Sequence, residues 1–174
     1  WLTPMMSQDI VEFGNPVLSH RLLRGGLPPF FVSPVAPEAD FQEWLDSFWA
    51  KDIQELFRLE RRHSFQRFME LLFMQSGGVF EATRFAAPCE VSRSTISNYL
   101  SALEATLVIQ VIRPFSTRRS TEIISAPKTY AFDTGFVCYF RGWHQLREED
   151  FGPLWEHWVL NEINSHRQVS TVRY

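Results

Sequence analysis

Arg93, Ser94, Ser97 and Asn98 stand at spacings that place them on one side of a helix, and each is polar. Arginine and serine can donate to phosphate oxygens, and arginine and asparagine can form paired hydrogen bonds with base edges. The chemistry this set could do is therefore contact with nucleic acid rather than the making or breaking of bonds. Further on, Arg118 and Arg119 lie within Ser116 to Ser120 and add two cations suited to phosphate. The bland alternative for all six residues is an ordinary solvated face.

The elements that must position them lie between Phe80 and Phe115. Glu81 to Ala87 reads as a short helix and Pro88-Cys89-Glu90-Val91 as a tight turn. Ser92 opens a second helix as its cap, with Ile96, Leu100, Leu103 and Leu107 recurring at helical spacing on the inner side. Leu107 to Phe115 follows as a strand, then a loop carrying Arg118 and Arg119, then a β-like segment from Thr121 to Ser125. This is the order of a winged helix-turn-helix. Lys128 to Phe132 alternates like one more strand, and Asp133-Thr134-Gly135 turns it into a short helix.

Charge limits what such a face can do. The whole chain carries a net charge of −3, and its 17 basic residues include only two lysines, Lys51 and Lys128. No global basic field draws it to nucleic acid. From Phe80 to Leu107, Arg84 and Arg93 face Glu81, Glu90 and Glu104, whereas from Arg113 to Lys128 four cations face Glu122 alone. The basic character sits in the wing, which predicts weak and salt-sensitive binding.

Other chemistries find less support. Asp133-Thr134-Gly135 is the tripeptide of aspartic proteases, but only one copy exists, and a capping Asp followed by a turn Gly is the simpler reading. No Gly-x-x-x-x-Gly-Lys-Ser/Thr run occurs in the chain. The five histidines and the two cysteines, Cys89 and Cys138, fall at no metal-ligand spacing, so no metal or cofactor is assigned to these residues. Glu156 and Glu162 on the last helix would be an incomplete set for a metal-dependent nuclease.

The rest of the chain reads as scaffold. From Trp1 to Pro37 prolines and glycines leave room only for short helices, near Ser7 to Phe13 and Pro16 to Arg24. Pro37 opens a helix with an aromatic stripe through Phe41, Trp44, Leu45, Phe48, Trp49, Ile53, Leu56 and Phe57. A second helix carries Phe65, Phe68, Met69 and Leu72 inward and ends by Gly77, pairing antiparallel with the first. Leu154 to Arg167 is amphipathic, and Val169 to Tyr174 begins a strand. The composition, with 45% hydrophobic residues and 16 Phe, is that of a folded protein with a ring-rich core. No signal peptide or bilayer-length apolar run is visible, and we expect a cytoplasmic, reduced setting. The opening Trp1-Leu2-Thr3-Pro4, without an initiating Met, leads us to expect a piece of a longer protein.

A series of short motifs carries a resemblance. They are Leu2-Thr3-Pro4 with Asp9-Ile10, Gly25-Gly26-Leu27-Pro28, Lys51-Asp52-Ile53, Val91 to Ile96 with Tyr99-Leu100 and Leu103-Glu104, and Arg113-Pro114-Phe115. Ala126 to Tyr130, Asp133-Thr134-Gly135-Phe136, and Gly152-Pro153-Leu154-Trp155-Glu156 with Asn161-Glu162 complete it. In this order they resemble the region following the nucleotide-binding core of a large family of bacterial and archaeal predicted AAA-type ATPases, whose C-terminal part is a domain of unknown function. Lys51 departs from the family, which more often has Arg there. The resemblance implies a P-loop core before Trp1, with ATP and Mg²⁺ expected for the parent ATPase and none in this chain. It also implies a restriction-endonuclease-like end, with Glu156 on its first helix and Val172-Arg173-Tyr174 leading into a Glu-x-Asp segment.

The expected fold is mainly α with small β: a helical linker plus a winged helix-turn-helix, followed by the start of a truncated α/β module. By residue, 1–35 is the ATPase lid remnant and linker, 36–140 the helical hairpin plus winged helix-turn-helix, and 141–174 the start of a nuclease-like module. The expected function is a non-catalytic DNA-binding or regulatory region. Arg93, Ser94, Ser97 and Asn98 would face the groove and Arg118 and Arg119 would touch phosphate. Its partners would be DNA and the ATPase core of the same chain, with no membrane and with room for an oligomer. Two alternatives stand beside it: a protein-interaction module using the aromatic helix Phe41 to Phe57, and part of a nuclease whose Glu156 needs further carboxylates.

Overall fold

The computed structural model describes residues 3–15, 17–35, 38–57, 59, 61–115 and 125–171. The fold is mainly helical with a small antiparallel sheet of two strands. The chain forms two compact units: residues 1–41 with 132–174, and residues 42–131. This grouping differs from the consecutive segments 1–35, 36–140 and 141–174, because contacts distant in sequence join the two ends of the chain into one body.

The first unit contains α1 (Ser7–Glu12), α2 (Leu18–Arg24), α3 (Pro28–Phe31) and the first residues of α4 (Glu38–Phe48). It is completed by the two helices that follow the sheet, α9 (Thr134–Arg141) and α10 (Glu148–Thr171). Asp9 turns back to accept from the Met6 N–H at 2.8 Å, fixing the start of α1. Phe30, Phe41 and Phe136 meet at ring separations of 4.4 to 5.7 Å, so aromatic packing fills the centre of this unit.

Beside these rings sits a buried ion pair. Arg21 and Asp133 are both fully buried, with Nη1 and Oδ2 at 3.7 Å. Asp133 caps α9 by accepting from the Gly135 N–H at 2.8 Å and, through its other oxygen, accepts from the Gly26 N–H at 2.6 Å. Arg21 donates to the Met5 carbonyl at 2.9 Å and to the Thr134 hydroxyl at 3.1 Å. The Asp-Thr-Gly tripeptide is therefore a helix cap and a structural anchor. Burial pushes the Asp133 carboxyl above its ordinary value, opposed by Arg21 and by the N–H groups of Gly26, Gly135 and Phe136.

Glycine is required at the contacts. Gly25 has φ +84°, and a Cβ there would fall 2.0 Å from Asp133 Oδ1, while one at Gly135 would fall 2.5 Å from the Arg24 carbonyl oxygen. α10 starts with the Arg147 N–H and guanidinium both donating to Asp150, at 2.9 and 3.1 Å, which holds that carboxyl below its usual range. The strand expected from Val169 is not seen over 169–171, where α10 continues to Thr171, and residues 172–174 lie outside the described residues. With no Pro or Gly after Pro153, the helix propagates through this stretch, and two β-branched residues do not outweigh an established helix.

The second unit begins with the rest of α4, which passes through a π-helical turn at Trp49–Ile53 into α5 (Gln54–Phe57). Phe41, Leu45, Phe48, Trp49 and Ile53 are buried, Trp44 and Phe57 are half-buried and Leu56 is exposed, so most of the expected stripe is packed inward while its far end is not. α6 (Arg62–Met74) brings Phe65 to 5.4 Å from Trp49. Then come α7 (Ala82–Ala86), α8 (Arg93–Ala105), β1 (Ile109–Ile112) and β2 (Lys128–Ala131). β1 and β2 pair antiparallel, Ile109 opposite Ala131 and Ile112 opposite Lys128. On the other side of β2, Val79 bridges Lys128 and the Phe80 N–H donates to the Pro127 carbonyl at 2.8 Å. Helix, bridge, helix, turn, helix and strand pair is the order of a winged helix. No helix among the described residues is long and apolar enough to cross a membrane.

Replacing Asp133 by Asn is expected to destabilise the protein by about 3–5 kcal/mol, because it leaves a buried guanidinium uncompensated. An amide also keeps only one acceptor oxygen, so its NH2 is set against either the Gly26 or the Gly135 donor. Urea unfolding followed by circular dichroism measures the loss, and a midpoint within error of the parent protein contradicts it.

Candidate nucleic-acid interface

α8 carries the face in question, and its position follows from local chemistry at both ends. Ser92 Oγ accepts from the Thr95 N–H at 3.1 Å, satisfying one of the donors that a helix start leaves open. At the other end Leu107 takes a left-handed conformation, φ +67°. Its N–H donates to the Glu104 carbonyl and that of Val108 to the Leu103 carbonyl, each at 3.0 Å. That pair of bonds is a Schellman stop. Leu107 therefore lies past the helix and is 43% exposed, rather than continuing the inner stripe. The stripe consists of Ile96, Tyr99, Ala102 and Leu103, all buried, with Leu100 half-buried.

The core beneath is aromatic. Tyr99 lies 5.2 Å from Phe65 edge to face, and Phe85 of α7 lies 5.3 Å from Phe68. The turn between α7 and α8 is closed by N–H groups of Cys89, Glu90 and Val91 donating to the carbonyls of Phe85, Ala87 and Ala86. Glu90 takes φ +57° there, a conformation that costs a residue with a Cβ about 1–2 kcal/mol.

Arg93, Ser94, Ser97 and Asn98 are all exposed on α8. Arg118 and Arg119 lie outside the described residues, as do Thr121 to Ile124. Around α8 the other cations face acids: Arg84 is 3.1 Å from Glu81, Arg113 is 3.8 Å from Glu104, and Arg67 is 3.9 Å from Glu90. Among the described residues Arg93 has no carboxylate within ion-pair distance. Exposed pairs of this kind contribute little to stability, but they do offset the cations.

The acidic alternative is dispersed. Glu156 is exposed, while Glu162 is half-buried and accepts from the Ser7 N–H at 2.6 Å, holding the start of α1. Six positions apart, the two point to different sides of α10. No group of three or more His, Cys, Asp or Glu suited to a metal ion occurs among the described residues. The residue that sequence reasoning missed is Arg21, whose partner Asp133 is 112 positions away. The available signal was an arginine next to Leu22 and Leu23 in the short helix just before Gly25-Gly26. Cys89 and Cys138 are buried free thiols; burial raises both, Cys138 to about 12.

Comparison with known proteins places this geometry in context. The family model described as "Domain of unknown function (DUF8612)" matches residues 15–147, a stretch that contains the whole second unit. The chain is 25% identical over 170 residues to the uncharacterized proteins Mb2031c of Mycobacterium bovis and Rv2008c of Mycobacterium tuberculosis. Those alignments cover 93% of this chain but 38% of each relative. No solved structure matches the chain.

Two outcomes follow from this local geometry. Glu90→Gly is expected to stabilise the second unit by about 0.5–1 kcal/mol, seen as a higher melting temperature, because glycine adopts positive φ without steric cost. Both thiols are expected to resist a disulfide reagent in the native protein and to react at once on unfolding. Rapid labelling under native conditions would contradict their burial.

Proposed function

Since the chain belongs to the DUF8612 family of domains of unknown function, we propose its role from its own geometry: a winged-helix region that contacts duplex DNA, or regulates such contact, within a longer AAA-type ATPase. The observation that carries the reading is the set of Arg93, Ser94, Ser97 and Asn98, all exposed on the helix that follows the turn, with an apolar core packed behind it. In this reading α8 enters the major groove and Arg118 and Arg119 meet the backbone. The region has no catalysis of its own.

The ATPase part of the proposal rests on the ordered motifs given above and on length, since the chain spans 38% of the mycobacterial relatives it matches. ATP and Mg²⁺ would be held by residues outside this chain, which has no phosphate-binding loop. The same motifs are structural here: Gly25-Gly26 and Asp133-Thr134-Gly135 are the two halves of the buried anchor in the first unit.

With three cations on phosphate, affinity for duplex DNA should fall about 40-fold between roughly 50 and 200 mM salt, measured by fluorescence anisotropy. The triple variant Arg93→Ala, Arg118→Ala, Arg119→Ala should lose most of that affinity and flatten the salt dependence. Equal binding by the variant and the parent protein would refute the reading.

A further inference from the structure

The hydrogen bonds along α8 constrain what its exposed face can recognise. Ser97 donates its hydroxyl proton to the Arg93 carbonyl at 3.2 Å, and Ser101 donates to the Ser97 carbonyl at 3.0 Å. Ser94 is hydrogen-bonded to Ser92 at 2.8 Å. With their protons committed to the backbone, Ser97 and Ser101 turn only lone pairs toward solvent. Phosphate oxygens are acceptors only, so these serines do not suit a DNA backbone. They suit the amino groups on base edges in the major groove, N6 of adenine and N4 of cytosine.

One side chain on this face offers a donor and an acceptor together. Asn98 is exposed and lies one residue beyond Ser97, so its amide can match adenine, whose major-groove edge presents an N7 acceptor beside an N6 donor. Arg93, at the first position of the helix, is the face's only cation and can take a phosphate or a guanine. Non-specific affinity draws on phosphate neutralisation, which in the proposed reading comes from Arg93 with Arg118 and Arg119 and carries no base preference.

From this pattern we infer that Asn98 is the specificity-determining residue of α8, selecting adenine at one position of a B-form duplex, with Ser97 as a neighbouring acceptor for a base amino group. The inference rests on the proposed function and adds to it the ligand feature that is read.

The test is selection from a pool of random duplexes by the protein, followed by anisotropy titration of the selected duplex and of its single-base variants. A position should emerge at which adenine is required. Changing it to any other base should weaken binding by roughly 5- to 150-fold, and Asn98→Ala should bind all four duplexes alike. Because Asn98 is exposed, that variant should keep the parent's circular dichroism and melting temperature. A preference that survives in Asn98→Ala overturns the assignment of Asn98. Salt-sensitive binding without any base preference overturns base readout while leaving duplex binding in place. Failure to bind any duplex at about 50 mM salt overturns both.

Discussion

One buried carboxylate ties together parts of the chain that are far apart in sequence. Asp133 accepts from Gly26, 107 residues away, while capping the helix that follows it, and Arg21 lies against it in the same dry interior. Residues 42–131 form the second unit, so Gly26 and Asp133 lie in the chain on either side of everything that unit contains. A charge pair taken out of water is favourable only where its hydrogen bonds are nearly complete; here backbone N–H groups, a carbonyl and a hydroxyl supply most of them, while Arg21 Nη2 has no partner among the described residues. Gly25, Gly26 and Gly135 lack a Cβ for the same reason: each would put a methyl group into the anchor.

The second unit solves a different problem, the display of a polar helix face on a firm base. Tyr99 on the inner side of α8 packs against Phe65 and Phe68, Phe68 packs in turn against Phe80 and Phe85, and the strand pair follows directly from the Schellman stop of α8. Rotation of the helix would expose Ile96 and Leu103, each fully buried, so the direction in which Arg93 and Asn98 point is set by the core rather than by their own contacts. Acids next to Arg84, Arg67 and Arg113 leave this face nearly neutral. A surface of that kind gives little electrostatic attraction and depends on hydrogen-bond geometry for whatever it recognises.

Other surfaces are partly engaged within the fold. Most of the aromatic stripe of α4 and the π-helical turn is taken up by packing, and Leu56 is left exposed at its end. Glu162 is engaged with the first turn of α1, and Glu156 stands apart from it, so the carboxylates of α10 do not converge.

The sequence by itself determined the local elements, because their causes are local. Ser92 as a cap, Ile96 and Leu103 at helical spacing and Asp133 before Thr134-Gly135 each act within one or two turns of chain, whereas the short helix α3 at Pro28–Phe31 was not foreseen. The exposed set Arg93, Ser94, Ser97 and Asn98 was legible for the same reason, as the complement of a buried stripe. Leu107 misled because its spacing continues that stripe, while a left-handed stop two residues past the last helical position removes it from the helix. Val169 misled because β propensity is weaker than the continuation of a helix already formed. Only the tertiary structure decided that Arg21 and Asp133 form a pair, that residues 1–41 and 132–174 make one unit, and that Val79 joins the sheet through Lys128. Those choices rest on burial and close backbone approach between residues tens to more than a hundred positions apart, and no periodicity along the chain encodes which distant partner will be met.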